Sequence, residues 1–325
     1  MITPSTVHVD QALSQISVAY TNPAFVAEEL FPVVPVDKQH DVYFKFSKQH
    51  FRARPDAHAS GADVNEIEID LDARQSYFCD GHALDLAIPD PLKANADPGA
   101  DLDIETTLKV VEMVRLNEEI NAAAQLTAAN ITQNSTLAGT SQWSDYVNSD
   151  PIAEVEKQKE TIQQTTGMLP NRLLLSRPVF RTLRNHPRII DRIKYTVTPP
   201  LSTQQLADAF EVEKIVLAQG LKNTATMGQL DSLSYIFGKN ALLFYRPPQP
   251  GKRVVSLGYT FVWMVRVGPS GDMTGDLRPE MSTGGFIVRR YRWERRRAEI
   301  LGVDFYYAQA LIEANCGYLW LSAVA

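Results

Sequence analysis

The stretch Tyr20-Thr-Asn-Pro-Ala-Phe-Val-Ala-Glu-Glu-Leu-Phe-Pro-Val-Val-Pro-Val36 decides how this chain is read. Pro23, Pro32 and Pro35 fix their own φ and push the residues before them toward extended backbone. Between them, Ala24 to Leu30 has room for two helical turns at most. Yet Phe25, Leu30, Phe31, Val33 and Val34 are apolar and need burial. A thin arm has no core of its own, so these side chains are expected to pack on the rest of the chain or on a neighbouring copy. Removing residues 1–35 is expected to leave a soluble body that no longer assembles.

Working outward, residues 36–80 read as a long β-hairpin. Val42-Tyr-Phe-Lys-Phe46 is rich in strand formers. Asn65-Glu-Ile-Glu-Ile-Asp-Leu-Asp72 alternates, placing Ile67, Ile69 and Leu71 on one face and acids on the other. Arg52 to Asp63, with Pro55 and Gly61, carries turn chemistry. Arms of roughly 18 residues reach about 60 Å at strand rise. An isolated two-stranded ribbon is marginal in water, so this one needs a surface to lie on.

Residues 101–129 are the clearest helix, capped by Asp101 or Asp103. Leu108, Val111, Met113, Val114, Leu116, Ile120, Ala124 and Leu126 give it a broad apolar face. Beyond a polar loop, Asp150-Pro151 opens a helix that Gly167 closes. Arg172 to Leu175 reads as a strand and Ser176-Arg-Pro-Val179 as the start of another helix, broken at Asn185-His-Pro187. Ser202-Thr-Gln-Gln205 is a capping box. Strands are expected at 214–218, 235–237, 241–245, 259–267 and 286–293. The apolar run 300–321 does not separate helix from strand.

Composition narrows the function. The 325 residues, 44% hydrophobic and 22% charged, suit a globular chain with a sizeable core. The net charge of -6 argues against a protein devoted to gripping nucleic acid. Cys79 and Cys316 make neither a disulfide framework nor a zinc pair, and buried reduced thiols in a reducing cytoplasm are expected. No secretory signal and no apolar run of membrane-spanning length is visible, so a soluble protein without membrane contact is expected. No phosphate loop, nucleophile elbow or zinc-protease motif occurs. Four of the six histidines lie in the arm and hairpin and His82 just beyond, a poor place for a catalytic base. No catalytic residue, metal site or cofactor is expected.

One segment invites a chemical reading. Arg289-Arg-Tyr-Arg-Trp-Glu-Arg-Arg-Arg297 holds six arginines in nine residues, interleaved with Tyr291 and Trp293. Guanidinium groups pair with phosphate and aromatics stack on bases. Alternatively, Arg289, Arg290, Arg292 and Arg295 pair with acids on a neighbouring strand or subunit. With 38 acids against 32 bases, such partners are plentiful. Both readings stand at this point.

The order of proline-rich arm, long hairpin, long helix and mixed body resembles the phage major capsid proteins of the HK97 fold. Tyr20 to Val36, the hairpin through Asp72, and Asp101 to Ala129 look like the family's N-arm, E-loop and spine helix. The resemblance implies an α+β fold divided into an N-arm (1–35), an E-loop hairpin (36–80) and a P domain (81–195) that includes spine helix 101–129. An A domain (196–288) and a return to the P domain with the C-terminus (289–325) complete it. It further implies pentamers and hexamers forming an icosahedral shell around double-stranded DNA held by weak non-specific contact. Assembly in the host cytoplasm gives a virion component. Phe25, Phe31, Ile67, Ile69, Leu71, Arg289, Arg290, Arg292 and Arg295 would be subunit-interface residues. An arm this short implies a separate scaffolding protein, besides portal and decoration proteins. An encapsulin-like compartment shell and an α/β enzyme with an unrecognised site are the competing readings.

Overall fold

The computed structural model describes residues 8–9, 24–46, 53, 56–57, 71–95, 102–193, 201–226, 228–252, 254–264 and 285–325. Two sheets carry it. The first is six-stranded and centred on β14 (Ala298–Leu311). One edge of β14 pairs antiparallel with β5 (Asp80–Pro89). Its other edge pairs antiparallel with β13 (Phe286–Trp293) and then with β12 (Gly258–Trp263), end to end. β2 (Val33–Val36) adds to β12 in parallel, and the short β1 (His8–Val9) adds to β13. The second sheet has five strands. Their order is β6 (Gln133–Thr136), β15 (Gly317–Leu321), β11 (Ala241–Phe244), β7 (Arg172–Ser176) and β8 (Lys214–Ala218).

The ambiguous run 300–321 thus contains the central strand of one sheet and an inner strand of the other, both buried on two faces. Such strands lose the alternation that would have identified them. On β14, Leu301, Val303, Phe305 and Tyr307 pack beneath the long helix α3 (Leu102–Gln125), against Val110, Val111 and Val114. The opposite face, with Tyr306, Ala308 and Ala310, joins Tyr259 and Phe261 in a separate cluster. α3 departs from its expected apolar face: Met113 is exposed, while Glu118 and Glu119 are buried.

Helices α4 (Pro151–Thr166), α5 (Arg177–Arg184), α6 (Pro187–Ile193) and α7 (Thr203–Ala209) pack on one face of the five-stranded sheet. Their ends follow the expected chemistry. The Asp150 carboxylate accepts from Ala153 N–H, and Gly167 closes α4 at φ 75°. Ser202 and Gln205 form the reciprocal capping box of α7. The half-buried Glu154 accepts both indole N–H groups, from Trp143 at 2.9 Å and Trp320 at 2.8 Å, tying α4 to β15.

Sheet membership cuts across the expected domain ranges. β12, within 196–288, belongs to the sheet beneath α3, and β15, within 289–325, belongs to the other sheet. A sheet is assembled by ladder hydrogen bonds between strands distant in sequence, so linear ranges do not delimit it.

Candidate assembly surfaces

The arm segment 24–36 folds onto its own chain, the first of the two alternatives its apolar side chains left open. The short helix α1 (Ala27–Leu30) lies between the two sheets, where Val26, Ala27, Leu30 and Phe31 join Ala122 and Leu126 of the long helix and its exit, and Leu242 and Phe244 of β11. Phe31 is fully buried. Its ring lies so close over Gly258 that any Cβ there would overlap it. Phe31 is therefore core, not a subunit contact. Phe25 is half-buried beside Gly220.

Polar anchors explain why so short a segment is held. The carboxylate of Glu119 accepts from Val26 N–H at 2.9 Å and Ala27 N–H at 2.7 Å, capping α1 from α3. Burial pushes the Glu119 carboxyl up to about 7. Glu28 pairs with Arg115 of α3 at 2.6 Å, and Arg115 also pairs with Glu118 at 2.8 Å. Glu29 pairs with Lys214 at 2.7 Å and Arg246 at 2.5 Å on the five-stranded sheet. α1 is a clamp across both sheets. Hydropathy patterning missed it because the holding groups are acids.

The described part of the hairpin lies with one face on the body. β3 (His40–Phe46) and β4 (Leu71–Phe78) pair antiparallel, with a bulge between Phe44 and Lys45. On the inner face, Tyr43 and Tyr77 are buried on Phe261, whose ring stacks at 4.5 Å on Tyr77. The outer face presents Val42 and Phe78, the latter 51% exposed, with His40 across from it. Leu71 opens β4 opposite Phe46, whereas Ile67 and Ile69 lie outside the described residues.

The first half of the arginine strip is paired within the chain. It forms β13 and the turn to β14, where Arg297 takes φ 45°. Arg289 pairs with Asp304 and Arg290 with Glu299, both on β14, and Arg290 also reaches Asp103 of α3 at 3.1 Å. Arg292 grips Asp90 in a fork at 2.8 and 2.9 Å, and Glu294 at 2.8 Å. Arg296 stacks on Trp293 at 4.3 Å. Hydrogen bonding from Arg290, reinforced by Lys93, holds Glu299 down to about 2. Arg289, Arg290 and Arg292 therefore stitch β13 to β14, α2 (Asp90–Ala94) and α3. Pairing with acids on a neighbouring strand, one of the two partners expected from the sequence, is what the fold supplies to Arg289 and Arg290, and Arg292 takes an acid of α2 instead. Arg295 is exposed.

The nearest approach to catalytic geometry is Ser149 Oγ, 3.0 Å from His186 Nε2, both buried. Ser149 donates its proton to the Asp145 carbonyl at 2.6 Å, so the imidazole is the donor to Oγ, and the serine is not activated. Cys79 is buried, which raises its thiol to about 11 and leaves it unreactive. Among the described residues no group of three or more His, Cys, Asp or Glu is placed to hold a metal. No described helix is long and apolar enough to cross a membrane.

Residues 126–244 match the family described as phage major capsid protein E. The chain is 27% identical over 245 residues to the major capsid protein of Burkholderia phage BcepMu, covering 75% of this chain and 78% of that one. The crystal structure of a phage-related protein from Bordetella bronchiseptica RB50 is similar over 97% of both chains, with a TM-score of 0.75 and 28% identity. The capsid structure of cyanophage P-SCSP1u shares the fold at a TM-score of 0.54 and 11% identity, over 93% of this chain and 89% of that one.

Proposed function

We infer that this chain is a phage major capsid protein of HK97-like fold, a structural protein and not an enzyme, whose copies build the shell of the virion. The observation that carries this reading is a likeness to phage major capsid proteins that runs through three quarters of the chain rather than one motif. The same likeness favours a phage head over an encapsulin-like compartment. The geometry fits: a hairpin anchored by one face and apolar on the other is built to touch a second molecule.

The finer reading is as follows. The hairpin 36–80 is the E-loop, and its outer face with Val42 and Phe78 lies on the adjacent subunit of a pentamer or hexamer. α3 is the spine helix, and with β5 and β12–β14 it makes the P domain. The five-stranded sheet with α4–α7 makes the A domain. The ranges expected from sequence become interleaved, because the chain passes between the two sheets more than twice. Separate scaffolding, portal and decoration proteins complete the particle. Within the arginine strip Arg289, Arg290 and Arg292 are spent on carboxylates of the same chain, which leaves only the turn 295–297 for a weak, non-specific contact with DNA.

Negative-stain electron microscopy of the purified protein tests this reading. Closed shells are expected from the natural sequence. Phe78→Asp is expected to abolish shells while the subunit melts within about 0.5 kcal/mol of the parent, as an exposed substitution should. Normal shells from Phe78→Asp would remove the hairpin's proposed role, and no shells from the natural sequence, alone or co-expressed with a scaffolding protein, would remove the function itself.

A further inference from the structure

Outside the hairpin, the described residues hold a second unpartnered surface. A groove of about 870 Å³ opens along α5. Arg177, Arg181 and Arg184 line it at i, i+4, i+7 spacing, which brings them to one side of the helix. Lys239 joins them from the turn before β11. No acidic side chain lines the groove, and none of these four cations makes an ion pair among the described residues. The wall is partly apolar: Phe180 lies 6.0 Å beneath the Arg177 guanidinium, and Tyr235 stands at the rim. Four unneutralised cations beside an aromatic wall are an arrangement that needs an anionic, partly apolar occupant.

The same chain displays such a group. β9 (Leu221–Asn223) and β10 (Leu233–Tyr235) form a two-stranded ribbon rising from that rim. Leu233 pairs with Asn223 and Tyr235 with Leu221, so Leu221, Leu233 and Tyr235 share one face, and all three are exposed. In the loop between the strands, Leu230 is 93% exposed. Asp231 follows it, hydrogen-bonded at 2.7 Å to Asn223, whose side-chain oxygen accepts from the N–H groups of Ala225 and Ser232. The loop is thus pre-shaped, with an acid between two bare leucines. A lone ribbon carrying an apolar face gains nothing in water and marks a contact.

We propose that the 228–233 tip of this ribbon seats in the α5 groove of a second copy of the chain, Asp231 against Arg177 and Arg181, Leu230 and Leu233 against Phe180. The proposal rests on the self-assembly reading and names a second grip for it. A second copy fits better than nucleic acid. The groove is a short recess that includes Phe180 and Tyr235 rather than a long basic strip, and the chain's net charge of -6 opposes a phosphate polymer while supplying acids to pair. Lock and key are different patches, so each copy gives one contact and receives one, the arrangement that closes into rings.

Charge exchange tests the pairing. Arg181→Asp and Asp231→Arg are each expected to lower shell yield at least about tenfold, as like charges meet in the contact. The double variant, with the charges swapped, is expected to regain most of it. Circular dichroism and melting verify that the subunits fold. Independently, Leu230→Cys combined with Thr182→Cys is expected to give an oxidised ladder of linked chains, because Cys79 and Cys316 are buried. Full shells from both single variants would overturn the proposal, and so would linkage confined within one chain. So would empty shells of normal yield that package less DNA, which would assign the groove to phosphate. If the natural sequence makes no shells, the assembly reading fails, while the cysteine ladder still decides whether the tip meets the groove.

Discussion

Two arginine-rich segments of this molecule end in opposite situations. Residues 289–297 carry six arginines and look, as a string, like the basic strip of the protein. Folded, Arg289, Arg290 and Arg292 each face a carboxylate of the same chain. The α5 segment, Arg177-Pro-Val-Phe-Arg-Thr-Leu-Arg184, carries only three arginines and attracted no attention as a string. Folded, those three line a groove without an acid. The difference lies in register. β13 is laddered to β14 so that Arg290 and Arg292 flank Glu299, and it runs past the first turns of α2 and α3, where Asp90 and Asp103 sit. Acids gather at helix starts because the helix dipole favours them there. A strand passing two helix N-termini therefore meets carboxylates, whereas α5 presents its arginines away from any such end. Density of charge in a sequence does not tell whether the charge is spent inside the fold.

The comparison is broken most forcefully by removing the centre of the framework. Arg290→Ala leaves Asp103 and Glu299, each mostly shielded from water, without their shared cation. A loss of about 2 kcal/mol in urea unfolding of the unassembled subunit is expected, below the full cost of a completely buried pair because water reaches these groups. A loss under about 0.5 kcal/mol would return Arg290 to the surface class. Next in size is the pairwise term. A double-mutant cycle of Arg290→Ala with Glu299→Ala is expected to yield about 1 kcal/mol of coupling. Additive effects would show that the ion pair is incidental.

Acid titration sharpens the same point. Glu299 is held down to about 2 from an ordinary 4.5. A depressed carboxyl stabilises the fold above the unfolded value and loses that contribution as pH falls from about 4.5 toward 2. The stability difference between the natural chain and Glu299→Gln is therefore expected to shrink across that window and vanish near its lower end. Glu119 has the opposite sign. Pushed up to about 7, its carboxyl favours the native state when protonated, so its contribution is complete below about 4.5 and declines as pH rises to 7. Melting of Glu119→Gln is expected to vary less than the natural chain over that range. An equal slope would mean that burial does not govern this carboxyl.

Much of the architecture was legible because its signals are local. Asp150 with Pro151, Gly167, and Ser202 with Gln205 marked helix ends by direct side-chain chemistry. Of the alternating run 65–72, only Leu71 and Asp72, which open β4, lie within the described residues. What was not legible depends on tertiary partners. Nothing near Phe31 in sequence reveals that Gly258 opens a seat for it. Nothing near Glu118 and Glu119 in sequence reveals that α1 lies over them. The 300–321 run lost its period because both faces of its strands are covered. The α5 groove was hidden for a related reason: arginines at i, i+4, i+7 are a visible spacing, but only the fold shows that no acidic side chain among the described residues lines their groove.

The smallest expected effect is the most discriminating. Arg177→Ala and Arg181→Ala should leave subunit stability within about 0.5 kcal/mol of the natural chain, because both side chains are exposed and neither leaves a buried carboxylate behind. In Arg177→Ala the lost contact with the Phe180 ring is distant, at 6.0 Å, and adds little. The same truncation that costs about 2 kcal/mol at Arg290 thus costs almost nothing on α5, and the contrast measures what an arginine is paired with rather than what it is. A loss above about 1.5 kcal/mol at Arg181 would place that residue in the framework with Arg290, and the groove would then be a stabilising element of the subunit instead of a surface held open for another copy.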